Sequence, residues 1–173
     1  MELHYCRRCG ESLTQQGGGA ATCPNGHSSY PNPAPCVGLY LFDTDENLLL
    51  GVRGQEPMKG MLDAFGGFVD GTETIEEALR REIKEELGLE PTEYTSPIYL
   101  TSASSGYDFQ GETRTVLSSL FYAYLLPGAT PRAADDVAAI HSAKLQDISV
   151  DAIGNQDIRV GFAALRERLA GTS

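Results

Sequence analysis

The residues with the clearest chemical promise are three glutamates, Glu82, Glu85 and Glu86, spaced i, i+3 and i+4 within the stretch from Thr74 to Gly88. Thr74 with Glu77 three residues later is a capping box, and Gly88 followed by Pro91 is a helix stop, so one helix is predicted to carry all three. Turning about 100° per residue from Ile75 places Ala78, Leu79, Ile83 and Leu87 on one apolar arc. Glu82 and Glu86 fall inside that arc and Glu85 at its edge, whereas Glu77, Arg80, Arg81 and Lys84 occupy the opposite face. A charge run is ordinarily a solvated face; that account fits the second group and fails for the first. Carboxylates turned toward a protein interior are costly unless paired or bound to metal. Three converging carboxylates form the oxygen-only set that Mg2+ or Mn2+ prefers. The competing arrangement is a buried ion-pair cluster, with Arg81, one turn before Glu85, as its cation. Upstream, Gly66-Gly67 ends an apolar stretch and leads toward this helix, in a loop able to offer carbonyls to a metal or amides to a phosphate.

A second constellation lies near the N-terminus. Cys6-Arg7-Arg8-Cys9 and Cys23-Pro24-Asn25-Gly26-His27 are separated by 13 residues. Two short knuckles giving two ligands each can close a tetrahedral Zn2+ site, and four ligands with no open position make such a zinc structural. Disulfides or free thiols are the alternative, and the use of His27 is less strongly signalled than that of the cysteines. Cys36 opens an apolar run and reads as a plain buried thiol. A nucleic-acid-binding ribbon is the rival role, but Arg7 and Arg8 are its only paired basic residues.

The elements that must position these groups follow from composition and pattern. A chain of 173 residues accommodates one full domain with a small appendage. Its 24 acidic against 13 basic residues leave a net charge of −11, which disfavours holding nucleic acid or anionic lipid by bulk charge. No apolar run approaches the ~20 residues of a membrane span, and the first residues lack the plan of a signal peptide, so a cytoplasmic protein is expected. Residues 1–33 are polar and rich in Cys, Gly and Pro, and the composition changes after Pro31-Asn32-Pro33. Beyond this boundary the pattern predicts strands at 37–42, 48–53, 64–69, 98–101, 116–125 and 138–145, with helices at 75–87 and 158–169. This is a mixed α/β class. Residues 102–114 read as a long polar loop, in which Tyr107 and Phe109 are candidates to stack a base and Glu112 or Asp108 to add a metal ligand; a surface loop without substrate contact is the alternative. Asp135-Asp136 reads as a solvated turn, and His4 and His141 carry no constellation.

Taken together, Gly67, Glu73, Arg81-Glu82-Ile83, Glu85-Glu86 and Gly88-Leu89 reproduce the pattern G-x5-E-x7-R-E-U-x-E-E-x-G-U, U being aliphatic, at every defined position. The chain therefore resembles the Nudix hydrolases over residues 34–173, after a zinc ribbon over 1–33. The resemblance implies an α/β/α sandwich with a mixed sheet, and metal-dependent hydrolysis of a nucleoside diphosphate linked to another group. It implies Glu82, Glu85 and Glu86 as Mg2+ or Mn2+ ligands, with the carbonyl of Gly67 as another and Glu73 and Arg81 in support. The base is left open between Glu86 and a downstream carboxylate. The charges agree: from Gly67 to Glu90 eight acidic and three basic residues leave −5, so an anionic diphosphate needs cations to approach.

A zinc ribbon before such a domain resembles the NADH pyrophosphatases, which points to NADH, ADP-ribose or a related dinucleotide as the small-molecule partner. A nucleotide-sensing module without turnover and an enzyme for nucleoside triphosphates are the alternatives, and a homodimer is left open. Departures exist. Phe65 and Leu62 stand where many relatives have Pro and Trp, and Ala139 and Ser142 where related sequences have Glu and Trp. The Ser-Gln-Pro-Trp stretch of NADH selectivity is absent, and the chain has no Trp.

Overall fold

The computed structural model describes residues 4–16, 19–109 and 111–171, with backbone only for Phe109 and Glu112. Near the N-terminus, three two-residue strands, β1 (Thr14–Gln15), β2 (Ala21–Thr22) and β3 (Ser28–Ser29), form an antiparallel sheet in the order β1-β2-β3. Among the described residues up to 33, only Cys6, Ala21 and Cys23 are buried.

The rest of the chain builds one mixed six-stranded sheet. Its strands are β4 (Ala34–Phe42), β5 (Leu48–Arg53), β6 (Leu62–Asp63), β7 (Ile98–Phe109), β8 (Glu112–Tyr124) and β9 (Val137–Ala143). Helix α1 (Ile75–Leu87) lies between β6 and β7 in the chain, and α2 (Gln156–Ala170) follows β9. β9 runs along one edge of β5; the other edge is shared by β4, at Leu48 and Leu49, and β6, at Gly51 and Val52, and β8 and β7 follow beyond β4; β4 and β8 run parallel and the remaining pairs antiparallel. Val37, Leu39 and Leu41 of β4 pack with Leu79, Ile83 and Leu87 of α1, while Tyr40 and Phe42 pack with Ile158, Phe162 and Leu165 of α2. Covering both faces explains why residues 37–42 read as an unbroken apolar run rather than an alternation. The result is the α/β/α sandwich expected, and no described helix is long and apolar enough to cross a membrane.

Helix α1 begins on the capping box of Thr74 and Glu77 and ends at Gly88 in the left-handed conformation, φ 67°. Two expectations need correction. The strand predicted at 64–69 is divided: Leu62 and Asp63 pair with β5, after which the chain crosses onto β4 through Phe65–Leu39 and Gly67–Val37 backbone bonds. Gly66 makes the crossing, at φ 145°, and a Cβ there would stand 2.2 Å from the Val37 carbonyl oxygen. Gly66→Ala is expected to cost at least about 2–3 kcal/mol, from backbone strain and displacement of β4; denaturant titration measures it.

The second correction concerns residues 102–114, which are not a loop. The described residues among them belong to the inner half of a β-hairpin, with β7 and β8 in register from Ser102↔Ser119 to Phe109↔Glu112. The alternation was weak because polar residues interrupt the inward row: Ser105, next after buried Ala103, turns toward α2 and donates to Asp157 at 2.9 Å.

Candidate functional site

Helix α1 delivers Glu82 and Glu86 to the protein interior, 9% and 4% exposed, while the Glu85 side chain stays about half exposed at the rim. The opposite wall is the crossing at Gly66-Gly67. The Gly66 N–H donates to Glu86 Oε2 at 2.8 Å, and a Cβ on Gly67 would lie 2.5 Å from Glu82 Oε1, so backbone and carboxylate approach as only glycine allows. The Gly67 carbonyl accepts from Val37 N–H at 2.9 Å, which leaves it one lone pair.

Arg81 organises the cluster. Its Nε and Nη2 grip both oxygens of Glu73 at 2.8 and 3.0 Å, Nη1 donates to Glu82 at 2.8 Å and Glu85 at 3.0 Å, and Nη2 also donates to the Phe68 carbonyl at 3.0 Å. The bidentate grip holds the Glu73 carboxyl below its ordinary range. Glu82 is pushed upward by burial, against the pull of Arg81. Burial pushes Glu86 up to about 9; the Gly66 amide opposes this, and the charges of Glu82, Asp136 and Asp63 add to it. Among the described residues one guanidinium serves Glu73, Glu82 and Glu85, and none of its bonds reaches Glu86. An internal ion-pair cluster would leave Glu86 without a cation, so the donor set fits a divalent cation better than a structural salt bridge.

Asp136 is the residue that the spacing did not reveal. It lies in the exposed turn expected at Asp135-Asp136, and that turn lines the open cleft with Gly67, Glu82 and Glu85. Its loop is drawn in by the last turn of α1: Arg132 N–H donates to the Leu87 carbonyl at 3.0 Å and Ala134 N–H to that of Glu86 at 2.9 Å, satisfying helix-end acceptors. The Asp136 carbonyl then accepts from Gly54 N–H at 2.7 Å. Ala139 pairs with Val52 in β9, so an acidic group at the cleft comes from Asp136, three residues earlier. The positions of Phe65 and Leu62 have a packing reason: Phe65 is fully buried beneath α1, and Leu62 is buried on the α2 side.

On the α2 side of the Gly66-Gly67 crossing lies a second recess, into which Tyr107 projects. Its ring meets Phe68 edge-on, with centroids 5.7 Å apart. Asp108 instead accepts from Thr113 Oγ1 across the hairpin at 2.5 Å. The side chains of Phe109 and Glu112 lie outside the described residues.

The N-terminal ligands are brought together as well. One ligand atom from each of Cys6, Cys9, Cys23 and His27 lies within 4.8 Å of all the others. Cys6 Sγ is 3.6 Å from His27 Nδ1, and Cys9 Sγ is 3.7 Å from Cys23 Sγ. Bonds of roughly 2.3 Å to sulfur and 2.0–2.1 Å to nitrogen at the tetrahedral angle give ligand separations of about 3.5–3.8 Å, whereas a disulfide needs about 2.05 Å. Hydrogen bonds, the largest from the Glu11 backbone, lower the Cys9 thiol to about 6, toward the thiolate a metal requires.

A helix that turns acidic residues onto a glycine crossing of a mixed sheet, between two helical layers, defines a Nudix-type α/β/α sandwich. The NUDIX domain family matches residues 32–163, and the chain belongs to that family. It is 39% identical over 88 residues to the human mitochondrial NAD(P)H pyrophosphatase, a match covering 50% of this chain and 24% of that protein. It is 47% identical over 62 residues to the ADP-ribose pyrophosphatase of Methanocaldococcus jannaschii, covering 36% of each. These matches span only about a quarter to a third of the relatives' lengths. Among solved structures, a NUDIX hydrolase from Nitrosomonas europaea superposes with a TM-score of 0.65 at 20% identity, over 98% of this chain and 94% of that one.

Proposed function

We propose that this chain hydrolyses the diphosphate bond of a nucleoside diphosphate derivative, with ADP-ribose, NADH or a related dinucleotide as substrate. The observation that carries this reading is the pair of buried carboxylates, Glu82 and Glu86, set against the Gly66-Gly67 crossing, with no side-chain cation on Glu86 among the described residues. Glu82, Glu85 and Glu86 would hold Mg2+ or Mn2+, with the remaining lone pair of the Gly67 carbonyl; when bound, such a cation neutralises the diphosphate and makes hydroxide available near neutral pH. Arg81 and Glu73 are positioning residues, because the bidentate pair fixes the guanidinium whose other bonds set Glu82 and Glu85. Water adds across the P–O–P bridge, releasing a nucleoside monophosphate and a second phosphate ester. Glu86 and Asp136 are the two carboxylates placed to take the water's proton. The relatives named as pyrophosphatases of NAD(P)H and ADP-ribose support the substrate class.

We further propose that residues 1–33 form a ribbon around a structural zinc at Cys6, Cys9, Cys23 and His27, and that residues 34–173 form the Nudix domain. Product analysis with ADP-ribose, NADH and a set of nucleoside triphosphates, with and without Mg2+ or Mn2+, tests the activity. The expected result is metal-dependent AMP release from ADP-ribose or NADH, at a kcat/KM at least about tenfold above any triphosphate. A triphosphate with the highest kcat/KM would overturn the substrate class, and tight ADP-ribose binding without turnover would make the chain a sensor.

A further inference from the structure

The segment from Pro91 to Pro97, which leaves the end of α1 for β7, encloses a pocket of about 250 Å3 against the first turns of that helix and the middle of β8. None of the residues lining it borders the glutamate cleft or the recess beside Tyr107. Its body is apolar, made by Leu79, Tyr94 and Phe121 between the two prolines. Tyr99 meets the Phe121 ring edge-on, with centroids 5.7 Å apart, and supports that wall from outside.

Two donors of this pocket lack acceptors. Tyr94 is 4% exposed and packs with Leu79, Ile83 and Leu87 beneath α1, yet its hydroxyl is buried with no hydrogen-bond partner among the described residues. A buried tyrosine ordinarily places its hydroxyl on an acceptor, because an orphaned donor carries the full cost of its lost hydration. Burial pushes the phenol above its ordinary range, against the pull of Arg80, so near neutral pH it is a neutral donor. Arg80 is exposed where it lines the same pocket. Among the described residues its guanidinium makes no ion pair, not even with Glu76 one turn earlier, whereas the neighbouring Arg81 is taken up by Glu73, Glu82 and Glu85.

A neutral buried donor and an unpaired guanidinium around an apolar body call for a charged acceptor attached to an apolar group. Inorganic phosphate has no apolar part to fill the pocket, and Glu76 on its lining disfavours a multiply charged anion. A carboxylate matches both donors, one oxygen for each. We propose that this pocket is a second ligand site, which binds a small aromatic monocarboxylate with its ring between Leu79 and Phe121 and its carboxylate shared by Tyr94 and Arg80.

The test titrates phenylacetate into the full-length protein and follows amide resonances, with phenylacetamide as the uncharged analogue of the same shape. Saturable shifts are expected at Leu79, Arg80, Tyr94, Thr95 and Phe121, with the millimolar or tighter affinity reached by ligands of this size. Phenylacetamide should bind at least about tenfold more weakly, and Tyr94→Phe and Arg80→Gln should each weaken phenylacetate by about tenfold, the effect of losing a hydrogen bond to a charged group. Tyr94→Phe removes a donor that has no partner in the free protein, so its thermal midpoint should stay level or rise. Shifts confined to the glutamate cleft, no shifts at millimolar phenylacetate, equal binding of acid and amide, or undiminished binding in Tyr94→Phe would each overturn the proposal. A clearly lowered midpoint in that variant would show the hydroxyl to be already satisfied and would overturn it too. The wild-type comparison of acid with amide decides the matter even where a variant does not fold. Binding is read without turnover, so the hydrolase reading and this one stand or fall separately.

Discussion

Glu86→Gln is expected to lower kcat by at least roughly a hundredfold, as loss of a preorganised charge at a reacting centre does. Glutamine keeps the shape of the side chain and an oxygen to accept the Gly66 N–H, so the fold and the thermal midpoint should hardly change. The charge is what disappears. In the metal-free protein the Glu86 carboxyl is pushed up to about 9, so near pH 7 it carries a proton that a cation must displace. Metal affinity should therefore rise with pH between neutrality and about 9 and then level off, since above that value Glu86 is already ionised. Calorimetric Mg2+ titrations in buffers of different ionisation enthalpy count the released proton, and Glu86→Gln should release fewer. A variant that keeps nearly the wild-type rate would remove Glu86 from the mechanism.

Zinc removal is the change with the largest expected structural effect. Among its described residues the N-terminal segment buries Cys6, Ala21 and Cys23, two of them proposed ligands. Three two-residue strands cannot hold such a segment, whereas structural zinc in small ribbons supplies on the order of 10 kcal/mol of apparent binding energy. Chelation is expected to unfold residues 4–33 while the sheet from β4 to β9 persists, seen as collapse of those amide resonances alone. Cys23→Ser should have the same local effect and reduce bound zinc. Protein purified without chelator that contains no zinc would sink the idea, and full zinc occupancy in Cys23→Ser would require other ligands.

The two constellations were legible for one reason. The Nudix pattern lies largely on one helix, and helical spacing is a local property: once the capping box and Gly88 bound α1, the inward direction of Glu82 and Glu86 follows from the turn angle alone. The Cys and His spacing is similarly local, because each knuckle closes within a few residues. The hairpin of β7 and β8 was legible only at its outer ends, as strands at 98–101 and 116–125, and its middle was not. Its inward Ser105 and Ser118 are polar, so they gave no apolar alternation, and the group that satisfies them, Asp157, lies 52 and 39 residues further along the chain.

By itself, then, the amino-acid sequence determined which residues share the inner face of α1 and which four side chains can converge on a zinc. Only the tertiary structure decided that Asp136 enters the cleft, because helix-end carbonyls of α1 capture its loop. Only the packing of α2 on β7 and β8 brings Asp157 to the recess beside Tyr107 and Phe68. The division has one physical cause. Helical direction and short-loop closure are set by neighbours along the chain, whereas the partner of a buried polar group is chosen by whichever distant element packs against it, and that choice leaves no periodic trace in the order of the residues.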